Sequence, residues 1–172
     1  MMDKHTVITV IAIAVIVIPI AHSGLNIVGV QQMEYRWHSP GEFNYFTMLN
    51  AGEMEFCNAM PFWITFQKFE ITPSYQSENL GTYVVKPLTV NPYSSSVQEG
   101  IFLSDERSEA QHIFMTFDFM FNGGNIRLDP NQFAVTIITD TPILGIIPYS
   151  STFQISGFEL DKMMNTDDLS CD

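Results

Sequence analysis

The sequence predicts a mainly β fold, a β-sandwich covered by one helix and preceded by one N-terminal transmembrane helix. Three observations lead to this prediction. The first is an uncharged apolar run at the N-terminus that is long enough to cross a bilayer. The second is a series of short segments with strand-like patterning, separated by turn residues. The third is a single segment whose apolar residues recur with the period of a helix.

The N-terminal run is uncharged throughout Thr6–Ala21, and its apolar character continues to about residue 30. A bilayer core of about 30 Å requires about 20 such residues in a helix. Residues 1–30 are therefore predicted to form a transmembrane anchor that contacts membrane lipid. Lys4 precedes the run, so the positive-inside tendency predicts a cytoplasmic N-terminus and an extracytoplasmic domain.

A cleaved signal peptide is the alternative interpretation of the same segment. Ala21 and Ser23 place small residues at the −3 and −1 positions of a cleavage site before Gly24. The apolar run exceeds the usual signal-peptide core of about 7–15 residues, which favours an uncleaved anchor. In either case the domain is exported, and residues 31–42 are predicted to form a stalk and the first edge of the sheet.

Residues 43–156 are predicted to form the sandwich, because polar and apolar residues alternate there with the period of half-buried strands. Alternate positions of residues 62–66 share one apolar face, and Phe69 falls out of phase with that face. We therefore expect a bulge near residues 67–68. The strand segments are residues 53–57, 62–66, 69–75, 82–85, 97–103, 133–139 and 146–155.

One segment has helical periodicity. Its apolar residues recur at spacings of three and four from Ala110 to Phe121, which produces a single apolar stripe. Ser104 is positioned to cap the start of a helix, and Asn122-Gly123-Gly124 is suited to end it. The sequence therefore predicts a helix over residues 105–121.

The two cysteines, Cys57 and Cys171, fit an oxidising compartment, in which a disulfide would attach the C-terminal tail to an early strand. Two free thiols are the alternative, because sequence alone cannot fix the pairing. Residues 157–172 form an acidic tail, which we expect to be mobile unless the disulfide holds it.

The charge of the chain limits its classes of partner. The 172 residues include 7 Lys and Arg against 19 Asp and Glu, which gives a formal net charge of −12. A surface this acidic repels phosphate backbones, so no nucleic-acid partner is expected. It also repels anionic lipid headgroups, so any attachment to a membrane must be hydrophobic.

The candidate catalytic and metal-binding residues are isolated in the sequence. His38 and His112 have no second histidine beside them, whereas metal sites need clustered ligands. Glu53 and Glu55 share a strand face, as paired catalytic carboxylates would, but no apolar pocket that would tune an acid is evident. A solvated sheet edge is the favoured interpretation, and we predict no catalytic residue, no cofactor and no metal.

Tyr35 and Trp37 follow the transmembrane segment closely and allow two interpretations. Tyr and Trp favour the headgroup zone, so these two residues could orient the stalk at the membrane interface. Ordinary packing within the first strand accounts for them equally well.

The small motifs of residues 43–156 resemble, in their order, those of a known family. They are Asn58-Ala59-Met60-Pro61, Leu80-Gly81-Thr82, the single helix, Arg127-Leu128-Asp129-Pro130 and the segment from Thr141 to Gly145. The family is the late-embryogenesis-abundant group-2 domain, also called the water-stress and hypersensitive-response (WHy) domain, here in a short membrane-anchored form of archaeal type. The resemblance implies an immunoglobulin- or fibronectin-III-like sandwich without enzymatic activity, and a role in desiccation or envelope stress.

The functional prediction is a non-catalytic, membrane-anchored extracytoplasmic protein that acts by interaction or by protection against stress. The alternative is an accessory subunit of a larger membrane enzyme complex. Such a subunit would dock on protein partners through the anchor and one face of the sandwich.

Overall fold

The computed structural model describes residues 4–124 and 128–171. Residues 1–3 of the predicted anchor, Arg127 of the resemblance and Asp172 of the tail lie outside the described residues. The elements in chain order are α1 (Lys4–Gln31), β1 (Glu34–Trp37), α2 (Tyr45–Met48), β2 (Gly52–Asn58), β3 (Ile64–Phe66), β4 (Lys68–Tyr75), β5 (Glu78–Asn79), β6 (Thr82–Val85), β7 (Leu88–Val90), β8 (Ser94–Leu103), α3 (Arg107–Phe121), β9 (Phe133–Ile143), β10 (Ile147–Ser156) and α4 (Gly157–Met164).

Most strands belong to one curled antiparallel sheet. Its order is β1-β2-β8-β6-β4-β9-β10, with the short β5 paired to β4, and β3 pairs with β7 in a separate two-stranded sheet. Side chains alternate between a buried inner face and a partly exposed outer face, as along β9. The fold is therefore sheet-rich, as predicted, with eight strands in one curled antiparallel sheet and two strands in a small separate sheet.

The chain changes sheets where a bulge was predicted. β3 ends at Phe66 in the small sheet, and β4 begins at Lys68 in the large one. Between them, Gln67 donates its N–H to the carbonyl of Asp140 at 2.8 Å. Phe66 and Phe69 are both buried, although they differ in strand phase, because they belong to different sheets.

Helix α3 confirms the predicted helix, beginning two residues later than expected. Its apolar stripe is buried, and the ring of Phe117 stacks on that of Phe133 with centroids 4.1 Å apart. The helix ends before Gly123, whose φ of +85° suits glycine. The predicted cap is wrong: Ser104 donates its hydroxyl to the carbonyl of Leu80, and Glu106 occupies the cap position without a side-chain cap bond.

The tail contains a helix that was not predicted. α4 contacts both β1 and β10, so it bridges the two edges of the curled sheet. Its side chains Leu160 and Met164 are buried in the core. Beyond α4, the tail follows β1, and a disulfide joins Cys57 to Cys171. The disulfide and the buried helix hold the tail against the domain.

The two aromatic residues predicted to lie at a membrane interface are inside the protein. Tyr35 is 6% exposed and Trp37 is 8% exposed. The Tyr35 ring packs edge-on against Phe69 with centroids 5.0 Å apart, and Trp37 packs against Phe43 at 5.5 Å. Rings buried in this way cannot reach lipid headgroups, so the interfacial role is corrected to ordinary strand packing. β1 itself lies at the sheet edge, as predicted, and α1 ends at Gln31, the first residue of the segment assigned to the stalk and first edge.

Candidate functional site at the junction of helix and domain

α1 has two parts with different surroundings. Side chains of residues 5–22 are exposed, apart from partial burial of Ala14, and they are almost all apolar. From Ser23 onward, one side of the helix is buried against the domain. The segment His5–Gln31 is long and apolar enough to cross a membrane. The protein therefore carries one N-terminal helix that is compatible with a single-pass membrane protein.

Three small or polar residues attach the last turns of α1 to the sheets. The Asn26 amide donates to the carbonyl of Thr65 at 3.0 Å and accepts the Thr65 N–H at 2.6 Å. Ser23 Oγ accepts the N–H of Leu144 at 2.9 Å. Gly29 lies so close to Ile64 that a Cβ would overlap its side chain. These contacts make the end of α1, within the segment predicted as the membrane anchor, a part of the domain.

The opposite end of the domain carries α2, α3 and α4. β9 runs from Phe133 to its turn at α1, and ten steps of about 3.3 Å separate its ends by about 33 Å. Because α3 stacks on Phe133, the helices lie at the end distal to α1. Several large apolar side chains remain exposed on these helices, and we call them the distal patch. The distal patch consists of Phe46, Met115, Phe119 and Phe158.

Asp118 connects two of these distal helices. Its carboxylate accepts the backbone N–H groups of Tyr45 at 2.7 Å and Phe46 at 2.8 Å, at the start of α2. Burial raises the pKa of Asp118 to about 6, against the effect of these two hydrogen bonds, and the nearby Asp161 raises it further. Sequence reasoning missed this residue, although an Asp between Phe117 and Phe119 inside an apolar helix was a visible signal.

The carboxylates predicted to be a solvated edge have separate environments. Glu55 forms an ion pair with Arg36 at 2.8 Å, and Glu53 is exposed. A hydrogen bond from Ser95, followed by those with Arg36, lowers the pKa of Glu55. A carboxylate held ionised in this way is unsuited to act as a general acid. His38 lies 3.7 Å from Glu55 through Nδ1.

An open acidic cleft of about 650 Å³ lies between β6 and the start of α3. Its acidic lining residues are Glu70, Glu78, Asp105, Glu106 and Glu109. A hydrogen bond with Glu106, together with the negative charge of Glu106, raises the pKa of Glu109. None of the described residues that line this cleft is Lys, Arg or His. Over residues 4–124 and 128–171, no group of three His, Cys, Asp or Glu side chains is arranged to hold a metal ion.

Comparisons with known proteins do not assign a family. No family model matches the chain, and no curated protein matches it. Among solved structures, one described as a crystal structure of a protein from Archaeoglobus fulgidus aligns with 72% of this chain and 94% of its own. The two share 12% sequence identity with a TM-score of 0.33, and this similarity is too low to assign a fold family or a function.

Proposed function

We propose that this chain is a non-catalytic, single-pass membrane protein that holds an acidic β domain directly on the extracytoplasmic face of the bilayer. The main observation that supports this proposal is in α1. Its exposed apolar part continues without a break into a part that is hydrogen-bonded to the domain. A domain attached in this way has a fixed distance from the membrane. Its work is interaction or protection at that surface.

The extracytoplasmic orientation is supported by Lys4 before the apolar run and by the Cys57–Cys171 disulfide. An epitope placed after residue 172 tests it in intact cells. We expect external protease to remove the epitope without lysis, and thiol reagents to label the cysteines only after reduction. An epitope that is protected until the cells are lysed would contradict the proposal.

The distal patch supports the interaction role and, with it, the alternative of an accessory subunit in a membrane complex. Met115 and Phe119 are four residues apart on α3, so they lie on one helix face, and Phe119 is 60% exposed. Apolar side chains exposed together on one helix face are typical of protein contacts. The patch faces away from the membrane, where a partner has access to it.

Purification of the full chain in mild detergent from its native membrane, followed by native mass spectrometry, tests this role. We expect stoichiometric partners to be retained by the wild type and lost from M115E/F119E. The matched control is V97E/I101E, which places the same charges on the exposed outer face of β8. Equal losses in the two variants, or the absence of any partner, would contradict an interaction through the distal patch.

We further propose an immunoglobulin-like sandwich ancestry and membership of the late-embryogenesis-abundant group-2 family. The motif order of residues 43–156 supports it, and so does the small β3–β7 sheet. Phe66 of that sheet faces Phe56 and Phe69 across the core, with centroids 5.1 and 5.8 Å apart, as in a second layer. To test the protective role, vesicles that contain the full chain are dried together with a desiccation-sensitive enzyme, and the recovered enzyme activity is measured. Enzyme recovery no better than with an unrelated single-pass protein would contradict a protective role.

A further inference from the structure

The turn between β9 and β10 exposes a cluster of apolar side chains. We call residues 144–149 the hairpin tip; their sequence is Leu-Gly-Ile-Ile-Pro-Tyr. Ile146 is 83% exposed, the highest value among the large apolar side chains of the described residues, and Ile147 is 56% exposed. Leu144 and Tyr149 are also exposed. Nothing in the domain covers these groups, although burial of apolar surface is the main favourable term in folding.

The hairpin tip is attached to α1 where the helix leaves the domain. The N–H of Leu144 donates to Ser23 Oγ, and Ser23 is the first residue of α1 that is buried. Residues 5–22, the exposed apolar part, form 18 residues of helix, which extend about 27 Å at about 1.5 Å per residue. The hydrocarbon core of a bilayer is about 30 Å thick. If α1 spans that core, its outer boundary therefore lies at the level of the tip.

The charge pattern around the tip is unusual for this chain. Residues 141–158, which run from the tip along β10 to its far end, contain no Asp, Glu, Lys or Arg, and Asp140 opposite Ser150 is the charged residue next to them in the hairpin. The chain otherwise carries 19 acidic residues, and carboxylates near anionic headgroups are repelled. A strand end that lies against a bilayer has to be uncharged, because desolvating a charge there is costly. Tyr149 is a residue type that favours the headgroup zone.

We infer that the hairpin tip is a second membrane contact, inserted between headgroups and acyl chains of the outer leaflet beside α1. The inference rests on the proposed function in one respect, that α1 crosses the bilayer. With two points of contact, the helix and the tip, the domain has a fixed rotation about the membrane normal as well as a fixed height. The apolar surface of the tip adjoins the apolar surface of α1. This continuity favours lipid of the outer leaflet, rather than a protein partner, as the contact of the tip.

The test uses the full chain in phosphatidylcholine nanodiscs, with an environment-sensitive fluorophore on a single introduced cysteine. The native cysteines are joined in a disulfide and do not react without reduction. I146C reports on the tip, and I147C repeats the measurement at the next exposed residue. V15C reports on the middle of α1, and I101C reports on the outer face of β8. Nitroxide lipids, with the nitroxide shallow or deep, act as quenchers.

We expect the fluorophore at 146 and 147 to shift to the blue and to be quenched more by shallow than by deep nitroxides. The fluorophore at 15 should be quenched most by deep nitroxides, and the one at 101 by neither. Quenching at 15 without quenching at 146 and 147 would overturn the inference and leave the proposed function intact. A lack of quenching at 15 would overturn the proposed function itself. A blue shift at 146 without lipid quenching, in a protein of dimeric mass, would assign the tip to a contact between copies and also overturn the inference.

Discussion

Asn26 is a buried amide on a helix that is mostly apolar. Its side chain is 4% exposed, and it satisfies both backbone groups of Thr65. A polar residue in a membrane helix is costly in lipid, so it belongs where the helix contacts protein. Asn26 therefore belongs to the part of α1, beginning at Ser23, that is joined to the domain.

Replacing Asn26 with Ala should destabilise the domain. The change removes two hydrogen bonds and leaves the N–H and C=O of Thr65 without partners, at an expected cost of about 1–3 kcal/mol. Urea unfolding of the full chain in detergent, followed by the fluorescence of the buried Trp37, measures it. N131A is the control, since Asn131 is exposed and should change stability by less than about 0.5 kcal/mol. Equal unfolding midpoints for N26A and the wild type would contradict the structural role.

Asp118 makes the stability of the distal end depend on pH. Its pKa is raised from 3.8 to about 6 in the folded protein, mainly by burial. A raised pKa means that the folded state binds the proton more tightly than the unfolded state. The stability contributed by this proton is thus fully present below about pH 4 and is lost as the pH rises through about 6.

The variant D118N should lose this dependence. Between pH 4 and pH 7, the unfolding free energy of the wild type should fall by about 1–2 kcal/mol relative to that of D118N. This value is smaller than the pKa shift alone would give, because the partly exposed carboxylate is screened by solvent. Urea midpoints at a series of pH values measure the difference. Asp161, whose pKa is also raised by burial, is present in both proteins, and its repulsion of the Asp118 carboxylate is part of the difference that D118N removes. D105N, at an exposed position, is the control, and a D118N profile parallel to that of the wild type would contradict the assignment.

At the scale of elements, periodicity predicted the members of the fold better than their arrangement. α3 was predictable because its apolar stripe extends over three turns. α4 was missed because its eight residues give a short stripe, although Ser156 and Glu159 form a capping box that marks its start. Alternation assigns each strand residue a face but does not assign the strand to a sheet. For this reason the crossing at Gln67 was predicted as a bulge.

The junction of α1 with the domain could also have been found in the sequence. One side of α1 carries small or polar residues at every third position, namely Ser23, Asn26 and Gly29. Residues at this spacing lie on one face of a helix, and the adjoining face is apolar. The partners of that side, at Thr65 and Leu144, lie 39 and 121 residues away in the chain. No local pattern relates positions so distant, so these contacts required the three-dimensional structure.

The disulfide also acts at the scale of elements, because it holds α4 and the tail across the open edge of the sheet. It closes a loop with a sequence separation of 114 residues. In the chain-entropy model, a loop of this length stabilises the folded state by about 4–5 kcal/mol, and measured values are usually about 2–4 kcal/mol. C57S/C171S should therefore unfold at a lower urea concentration than the wild type. Its free energy of unfolding should be lower by about 2–4 kcal/mol.

A reducing agent supplies the control for that variant. Reduction should lower the stability of the wild type toward that of C57S/C171S and leave the double variant unchanged. Hydrogen exchange of α4 should be faster in the variant, because the tail beyond α4 then no longer holds the helix against β1. Unchanged exchange in α4 would show that Leu160 and Met164 hold the helix without the disulfide.

At the scale of the whole molecule, the central feature is that the last turns of α1 are hydrogen-bonded to the domain. A flexible stalk would let an acidic domain move away from anionic headgroups, whereas a docked helix holds it at the surface. In the proposed orientation, the part of the domain next to the lipid is the hairpin tip, and residues 144–149 carry no charged side chain.

Rigidity can be measured as a distance across the whole molecule. Spin labels on V15C/I101C, both exposed positions, report the distance between the middle of α1 and the outer face of β8 by pulsed electron resonance in nanodiscs. A docked helix should give one narrow distribution. Adding N26A and G29L should broaden it, because the first removes the bonds to Thr65 and the second places a side chain where Ile64 lies. Adding N131A should leave it narrow. A broad distribution in the unaltered background would mean that α1 is a tether, since a helix that bends freely at the domain cannot hold it at one height above the lipid.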